Sequence, residues 1–289
     1  MKRIAVLGCE NSHANAFLGF IKEKEEFADV EVVGVYSDER EAAEKLHDTF
    51  GVAVLDSFDD AVGNIDGLII TARHGKNHFK YAEPYIKSGV PMFIDKPFTV
   101  DGDEALAFAK LLKENGIRIT GGSSLKHDVN VLALKAEHEQ RADGETLGGF
   151  VRAPYQSENA YGGFYFYSQH LVEIVLEIFG RFPLAVSACK NGTNISVVFH
   201  YEAYDVSGLY TDGSYKYFAA RMSQGGSSSR VITSTKDWFY KEFSEFYEIL
   251  SGGEQKAPYE EFVSPVLVMN AIERAVESGK REPVAKICI

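Results

Sequence analysis

The chain has 289 residues, 45% apolar and 25% charged, with 42 acidic against 30 basic side chains and a formal net charge of −12. That length suits one large domain or two ordinary ones, and an acidic surface without a basic stripe disfavours nucleic acids and anionic membranes as partners. No apolar run approaches the ~20 residues of a membrane span, Glu10, Asn11 and His13 cut the first apolar stretch short, and Cys9, Cys189 and Cys288 lack disulfide-framework or metal spacing, so a cytoplasmic chain without a metal site is expected.

The first 122 residues alternate strand and helix patterns. Ile4 to Leu7 reads as a short buried strand, and Ala14, Phe17, Leu18 and Ile21 as the inner stripe of a helix. Val30–Tyr36 is a second strand, followed by a helix that Gly51 stops. Val52–Leu55, Gly67–Thr71, Pro91–Asp95 and Ile117–Thr120 read as the third to sixth strands, with helices over 78–88 and around Ala105–Leu112 between the later ones. Such alternation predicts a doubly wound parallel sheet with right-handed crossovers. Its ligand crevice lies at the carboxyl ends of the strands, so the residues just after each strand are the ones to read.

From 123 to 289 the pattern changes. A strand over 150–155 precedes one strong helix with Leu171, Ile174, Val175 and Ile178 inward. The stretch 182–233 reads as strands throughout, alternating at Ile195, Val197, Phe199 and Tyr201, and two helices close the chain. This predicts a second, α+β domain on an antiparallel sheet, its last helices able to pack back on the first domain. An open aromatic sheet face would favour self-association, although a helix layer could equally cover it.

After the first strand stands Gly8-Cys9-Glu10-Asn11-Ser12-His13. A dinucleotide fingerprint would be Gly-x-Gly-x-x-Gly, the second glycine admitting the pyrophosphate. Here only Gly8 matches. A carboxylate ~4 Å from a phosphate would cost on the order of 4 kcal/mol at an effective dielectric of ~20, so Glu10 must point away, be neutralised, or exclude the usual pose. Ser12 is a candidate helix N-cap, and the helix start offers amides to an anion; a tight turn without ligand fits as well. The second strand ends Tyr36-Ser37-Asp38-Glu39-Arg40. An acid there grips ribose hydroxyls, while a small residue with a nearby arginine tolerates a 2′-phosphate. Ser37, Asp38 and Arg40 allow either, or a solvated helix start. The fourth strand leads to Thr71, Ala72, Arg73, His74 and His78, and the fifth to Asp95-Lys96-Pro97. A lysine at a carboxyl strand end beside an acid can donate to a substrate hydroxyl or shuttle a proton; a surface ion pair is the alternative. In the second domain His170 and Glu173 are helix neighbours. Glu173 could orient the imidazole of a base, or both could belong, with Glu177, to a solvated polar face.

Together these residues resemble the glucose-fructose oxidoreductase / inositol dehydrogenase / MocA (Gfo/Idh/MocA) family over almost the whole chain. Asp95-Lys96-Pro97 is similar to the family's Glu-Lys-Pro motif. His78, eleven residues before Gly89, matches its loop histidine, and Gly162-Gly163 with His170 and Glu173 its second-domain helix start. The resemblance implies a Rossmann domain binding NAD or NADP through Gly8, Glu10, Asn11, Ser12, His13, Ser37, Asp38, Arg40, Thr71, Ala72, Arg73, His78, Asp95 and Lys96. It implies hydride transfer to or from a secondary alcohol of a sugar, cyclitol or related polyol, and a homodimer or homotetramer formed through the second-domain sheet. Lys96 would hydrogen-bond the reacting oxygen and His170 accept its proton, with Glu173 in support. Tyr155 and Tyr167, with Tyr161 and Tyr165, offer aromatic faces to a sugar. Three positions depart from the pattern: Glu10 and His13 replace glycines, Thr71-Ala72-Arg73 replaces Thr-Pro-Asn, and Phe166 stands where the family has an aspartate. The alternative is a member with a degenerate cofactor site, a non-redox sugar lyase or hydrolase or a sugar-binding protein. Glu10, His13, His74 and His170 would then converge on one pocket for acid–base work or for a metal ion.

Overall fold

A computed structural model describes residues 1–233 and 236–289. In chain order, β1 (Lys2–Leu7), α1 (Ser12–Glu23), β2 (Val30–Tyr36), α2 (Arg40–Phe50), β3 (Gly67–Ile70), α3 (Lys76–Ala82), β4 (Met92–Asp95), α4 (Gly102–Glu114) and β5 (Ile119–Gly122) build the first layer system. Its five strands run parallel in the order β2-β1-β3-β4-β5. β3 and β4 are buried along their whole length, as strands covered on both faces must be.

The strand expected over 52–55 does not extend into this sheet. Val35 N–H donates to Ala53 O at 2.8 Å and Leu55 N–H to Val35 O at 2.9 Å, and the ladder stops at that single bridge. Leu55 caps Gly34, where a Cβ would lie 2.5 Å from Leu55 Cδ2. The helix expected over 78–88 is likewise split. It runs as α3 and then a 3₁₀ turn over Glu83–Ser88, because Pro84 cannot continue an α-helical ladder.

Next come α5 (Val129–Gln140), β6 (Thr146–Pro154), α6 (Tyr165–Phe179), β7 (Ala185–Asn191), β8 (Asn194–His200), β9 (Asp205–Thr211), β10 (Tyr217–Ser223), β11 (Gly226–Ile232), α7 (Lys236–Leu250), α8 (Tyr259–Ser278) and β12 (Glu282–Pro283). The second sheet runs β11-β10-β6-β9-β8-β7-β12. Every neighbouring pair is antiparallel except β6 and β9, which run parallel. One face, with Val151, Ile195, Val197, Phe199, Val206 and Tyr210, is buried. The opposite face keeps Phe150, Val198, Leu209 and Phe218 partly exposed.

Two helices tie the sheets together. α8 packs on α4, α6 and β7. α7 lies beside α1 on the first sheet, where Phe243, Phe246 and Ile249 fill a core with Phe17, Phe27, Ile69 and Phe93. Burying side chains of this size contributes roughly 1.5–3 kcal/mol each relative to exposure. That packing brings residues 238–242 up to the carboxyl ends of β1 and β4.

Candidate active site

Gly8 ends β1 with φ +86°, and a Cβ there would lie 2.2 Å from the backbone nitrogen of Ala72. Thr71 Oγ1 donates to Gly8 O, so the turns after β1 and β3 are locked together. Gly8 is thus required by the close approach of two strand ends.

Asn11, and not Ser12, caps α1. Its Oδ1 accepts from His13 N–H at 2.9 Å and Ala14 N–H at 3.4 Å, and its Nδ2 donates to Asp95 Oδ2 at 3.0 Å and to Thr71 O. An amide side chain at this place serves both the helix amides and the carbonyl and carboxylate of the neighbouring strands, which a serine hydroxyl could not. Ser12 is left exposed.

Glu10 bridges two strand ends. Its Oε2 accepts from Ser37 Oγ at 2.7 Å and its Oε1 from Arg73 N–H at 2.9 Å. The carboxylate is therefore occupied by neutral donors rather than aimed at an anion. Beyond it, Asp38 is half-exposed and accepts from Tyr36 Oη at 2.8 Å. Arg40 is exposed and paired with Glu44 and Asp56 at 3.2 Å each, so it stands as a surface ion pair.

His78 is fully buried, with Nε2 2.8 Å from Ala72 O. Burial pushes its pKa below the usual histidine range. It fastens the β3 turn and does not reach the cleft. Ala72 and Thr71, also fully buried, shape that turn.

A buried charge cluster sits at the start of α1. His13 Nδ1 is 3.2 Å from Asp95 Oδ2, and Nε2 is 3.2 Å from Glu242 Oε2. Burial alone would lower the imidazole pKa; Asp95 and Glu242 outweigh it and raise it. Burial raises the Glu242 pKa, opposed by His13. Phe239 packs against the ring at a tilt, 4.3 Å between centroids and 53° between planes. Asp95 does not pair with the Lys96 ammonium, as the sequence suggested. It accepts from the Lys96 backbone N–H at 2.7 Å and turns its other oxygen to Asn11 and His13.

The Lys96 side chain instead donates to Phe166 O at 2.9 Å and lies 4.9 Å and 5.5 Å from the ring centroids of Phe166 and Tyr167. Burial lowers its pKa, opposed by the charges of Asp95 and Glu242. His170 enters from α6, its Nδ1 2.8 Å from Ser123 Oγ. Burial, and then Lys96 and His13, hold its pKa well below the usual range, so the ring is neutral. Glu173 does not orient it. Glu173 accepts from Arg181 Nη1 at 2.5 Å and Gln169 Nε2 at 3.2 Å. Nor is this a solvated face, because His170, Glu173 and Glu177 are all buried. The helix is covered on every side, so its acids are matched by Arg181 and Lys135 instead of by water.

Lys96 and His170 share a cavity of about 290 Å³ with Asn11, Ser12, His13, Arg73, Ser124, Leu125, Phe166, Tyr167, Tyr217, Trp238 and Phe239. Among the sugar-facing aromatics predicted, Tyr167 lines it. Tyr155 does not: it is 2% exposed and packs on Phe164 and Tyr210 in the core. Tyr165 likewise turns away, donating to Glu273. Tyr161 supports the cavity from outside, its ring 4.8 Å from the Arg73 guanidinium. Glu10 and His74 do not line the cavity, so the four-residue acid–base or metal cluster does not assemble. A cavity of similar size, about 330 Å³, lies between β5, α5, α7 and α8. Its charged lining is largely paired internally through Arg181, Lys135 and Lys256, and it does not touch Lys96 or His170.

Ser123, Tyr217, Trp238, Phe239 and Glu242 were not singled out by sequence reasoning. Two of them carried a signal. Ser123 follows a strand end, and Glu242 lies three residues after Phe239 and four before Phe246, an acid on an apolar helix stripe.

The cavity fits the reacting end of a nicotinamide dinucleotide. It opens at the carboxyl ends of β1, β3 and β4 as such sheets require. No acid lines it, and Glu10's charge is tied to Ser37 and Arg73.

Residues 2–123 match the family model for GFO_IDH_MocA, an oxidoreductase family with an NAD-binding Rossmann fold. No curated protein matches the chain by sequence. Among solved structures, it resembles a myo-inositol dehydrogenase from Corynebacterium glutamicum, at 16% identity and TM-score 0.83 over 99% of each chain. It also resembles the scyllo-inositol dehydrogenase from Lactobacillus casei with bound NAD(H) and scyllo-inositol, at 15% identity and TM-score 0.84, over 99% of this chain and 100% of that one. At these identities the likeness shows the fold, which is shared from end to end. The N-terminal segment thus matches the Gfo/Idh/MocA oxidoreductase family model, and the whole chain shares the fold of these dehydrogenases.

Proposed function

We propose that the protein is a nicotinamide-dependent dehydrogenase acting on a secondary alcohol of a sugar, cyclitol or related polyol. The observation that carries this is the meeting of Lys96 and His170, from two different sheets' helices and turns, in one acid-free cavity at the strand ends. When bound, the dinucleotide supplies a hydride acceptor or donor. The chain's own residues do the rest. The Lys96 ammonium, fixed by Phe166 O, donates a hydrogen bond to the alcohol oxygen and stabilises negative charge as it develops there. The neutral His170 accepts the hydroxyl proton at Nε2, while Ser123 accepts from Nδ1–H and so selects the tautomer that leaves Nε2 free. Tyr167, Tyr217, Trp238 and Phe239 exclude water and give apolar faces to a ring.

Asn11, Ser12 and His13 border the dinucleotide side, and Asp38 would take adenosine ribose hydroxyls. Arg40 is engaged elsewhere, which favours NAD over NADP. The inositol dehydrogenase folds named above, one with NAD(H) and scyllo-inositol bound, support the same substrate class. We assign residues 1–122 to the cofactor domain and 123–289 to the substrate domain, with α7 crossing back. The half-exposed apolar face of the second sheet, with Phe150 and Phe218 6.2 Å apart, suits pairing of two copies into a homodimer or higher homo-oligomer. No helix among the described residues is long and apolar enough to cross a membrane; we place the enzyme in the cytoplasm on its acidic, cysteine-poor composition.

Calorimetric titration with NAD⁺, NADH, NADP⁺ and NADPH tests this. Micromolar binding of the NAD pair, with reduction at 340 nm on a panel of sugars and cyclitols, is expected. Folded protein that binds none of the four would exclude the dehydrogenase and leave a sugar-binding or non-redox member.

A further inference from the structure

The cavity's charge has one sign. Its charged and basic lining is Arg73, Lys96, His13 and the neutral His170, and no acid faces it. In a chain of net charge −12 this takes construction. Three carboxylates stand within reach, and each is held off by its own partners: Glu10 by Ser37 and the Arg73 N–H, Asp95 by Asn11, His13 and the Lys96 N–H, Glu242 by His13.

Arg73 has no acidic partner among the described residues. It is nonetheless held in place at both ends. Its backbone N–H is fixed on Glu10 at 2.9 Å, and its guanidinium lies on the Tyr161 ring at 4.8 Å, with Tyr161 in turn against Phe166 at 5.3 Å. A merely solvated surface arginine needs neither anchor. A half-buried, oriented fork of donors suits two oxygens of one anion. Arg73 lines the same cavity as Lys96, His170 and Tyr217, whereas Ser37 and Asp38, on the adenosine side, lie outside it behind Glu10.

We infer that Arg73 binds an oxyanion, a carboxylate or phosphate, carried by the molecule in this cavity, and that the favoured carrier is the alcohol substrate: a sugar acid or sugar phosphate rather than a neutral sugar. This rests on the dehydrogenase assignment for the placing of an alcohol at Lys96. The dinucleotide's pyrophosphate offers the same chemistry, and the two carriers are separated as follows.

The full chain, as wild type, Arg73→Gln and Arg73→Lys, is titrated calorimetrically. The panel is glucuronate, galacturonate, gluconate and glucose 6-phosphate against glucose, galactose and myo-inositol; NAD⁺ is titrated separately. The wild type should hold at least one acid about 10–100-fold more tightly than its neutral partner, the usual worth of a hydrogen bond to a charged group. Arg73→Gln should abolish that ratio, Arg73→Lys should keep part of it, and NAD⁺ affinity should move far less. If Arg73→Gln weakens NAD⁺ by that factor instead and leaves the sugar ratio alone, the oxyanion site stands and belongs to the cofactor. A wild type that holds no acid of the panel more tightly than its neutral partner, with NAD⁺ binding indifferent to Arg73→Gln, overturns the inference, while NAD⁺ binding in that same sample leaves the dehydrogenase intact. Conversely, an acid preference without NAD⁺ binding keeps the oxyanion site and removes the dehydrogenase.

Discussion

Replacing His13 by alanine should destabilise the fold by about 3–5 kcal/mol at pH 7, the range for removing one partner from a buried ion cluster. The ring stands 3.2 Å from a carboxylate oxygen on either side. At an effective dielectric of ~20, each such contact is worth about 5 kcal/mol before desolvation is subtracted. Desolvation offsets much of that sum, so the intact cluster adds little net stability. Its disruption is a different matter. Asp95 and Glu242 are each 1% exposed, and without the imidazole they face each other with no cation between them. Glu242, whose pKa burial already raises, can relieve the strain by keeping its proton. The penalty should therefore shrink as pH falls toward 5. The sign follows from linkage: His13 and Glu242 both have raised folded-state values, so the native state binds more protons and stability falls as pH rises through them. Urea denaturation followed by circular dichroism at pH 5 and pH 7 measures this, with Glu242→Gln alone and combined. The double variant should lose less than His13→Ala alone at pH 7, because the stranded charge is gone. A loss below about 1 kcal/mol at pH 7, within the range of an ordinary surface change, or one equal at both pH values, would refute a charged cluster.

Lys96→Ala should lower kcat by about two to four decades, as for loss of an acid–base group, while NAD⁺ still binds by calorimetry. In the wild type, kcat/KM should fall on the acid side only below pH 6.5, since His170 must be neutral and its pKa is held well under that value; it should fall on the alkaline side before pH 10.5, since Lys96 must be charged and burial lowers its pKa. Ser123→Ala should cut kcat by about tenfold, the worth of one hydrogen bond, with KM little changed, because it acts on the His170 tautomer and not on substrate. Gly8→Ala should lower the melting temperature sharply, costing about 2–4 kcal/mol from a left-handed backbone and overpacking together; a variant melting within a degree of wild type would contradict the contact with Ala72.

Much of this site is legible in sequence, and what is not has a physical reason. Lys96, Arg73 and the α1 entrance follow from reading residues just beyond each strand, because a parallel sheet gathers its carboxyl ends at one edge, while His170 and Tyr167 follow from the family resemblance of the second-domain helix start. Glu173 misleads because helix spacing gives a neighbour, not a partner: it cannot show that Arg181 sits closer. Tyr155 misleads because an aromatic near a loop looks the same whether it faces a sugar or Phe164. Ser12 and Asn11 are adjacent cap formers, and only the strand carbonyl and carboxylate across the turn decide between them. Glu242 is separated from His13 by most of the chain, and a contact of that range leaves no local pattern beyond an acid on an apolar stripe. The strand at 52–55 fails because β-branched composition marks extended backbone but not how long a partner stays alongside.

The helix that carries Glu242 has a further consequence, one of timing. Residues 2–123 emerge from the ribosome long before α7, by roughly 6–20 s at 5–20 residues per second. During that interval the first sheet has Phe17, Phe27 and Phe93 without Phe243 and Phe246 to cover them, and a buried histidine without one of its two counter-charges. The nascent sheet is therefore a sticky, half-finished surface that a holding chaperone would bind. Damage to α7 should register first as poor yield and aggregation, and only then as lost catalysis.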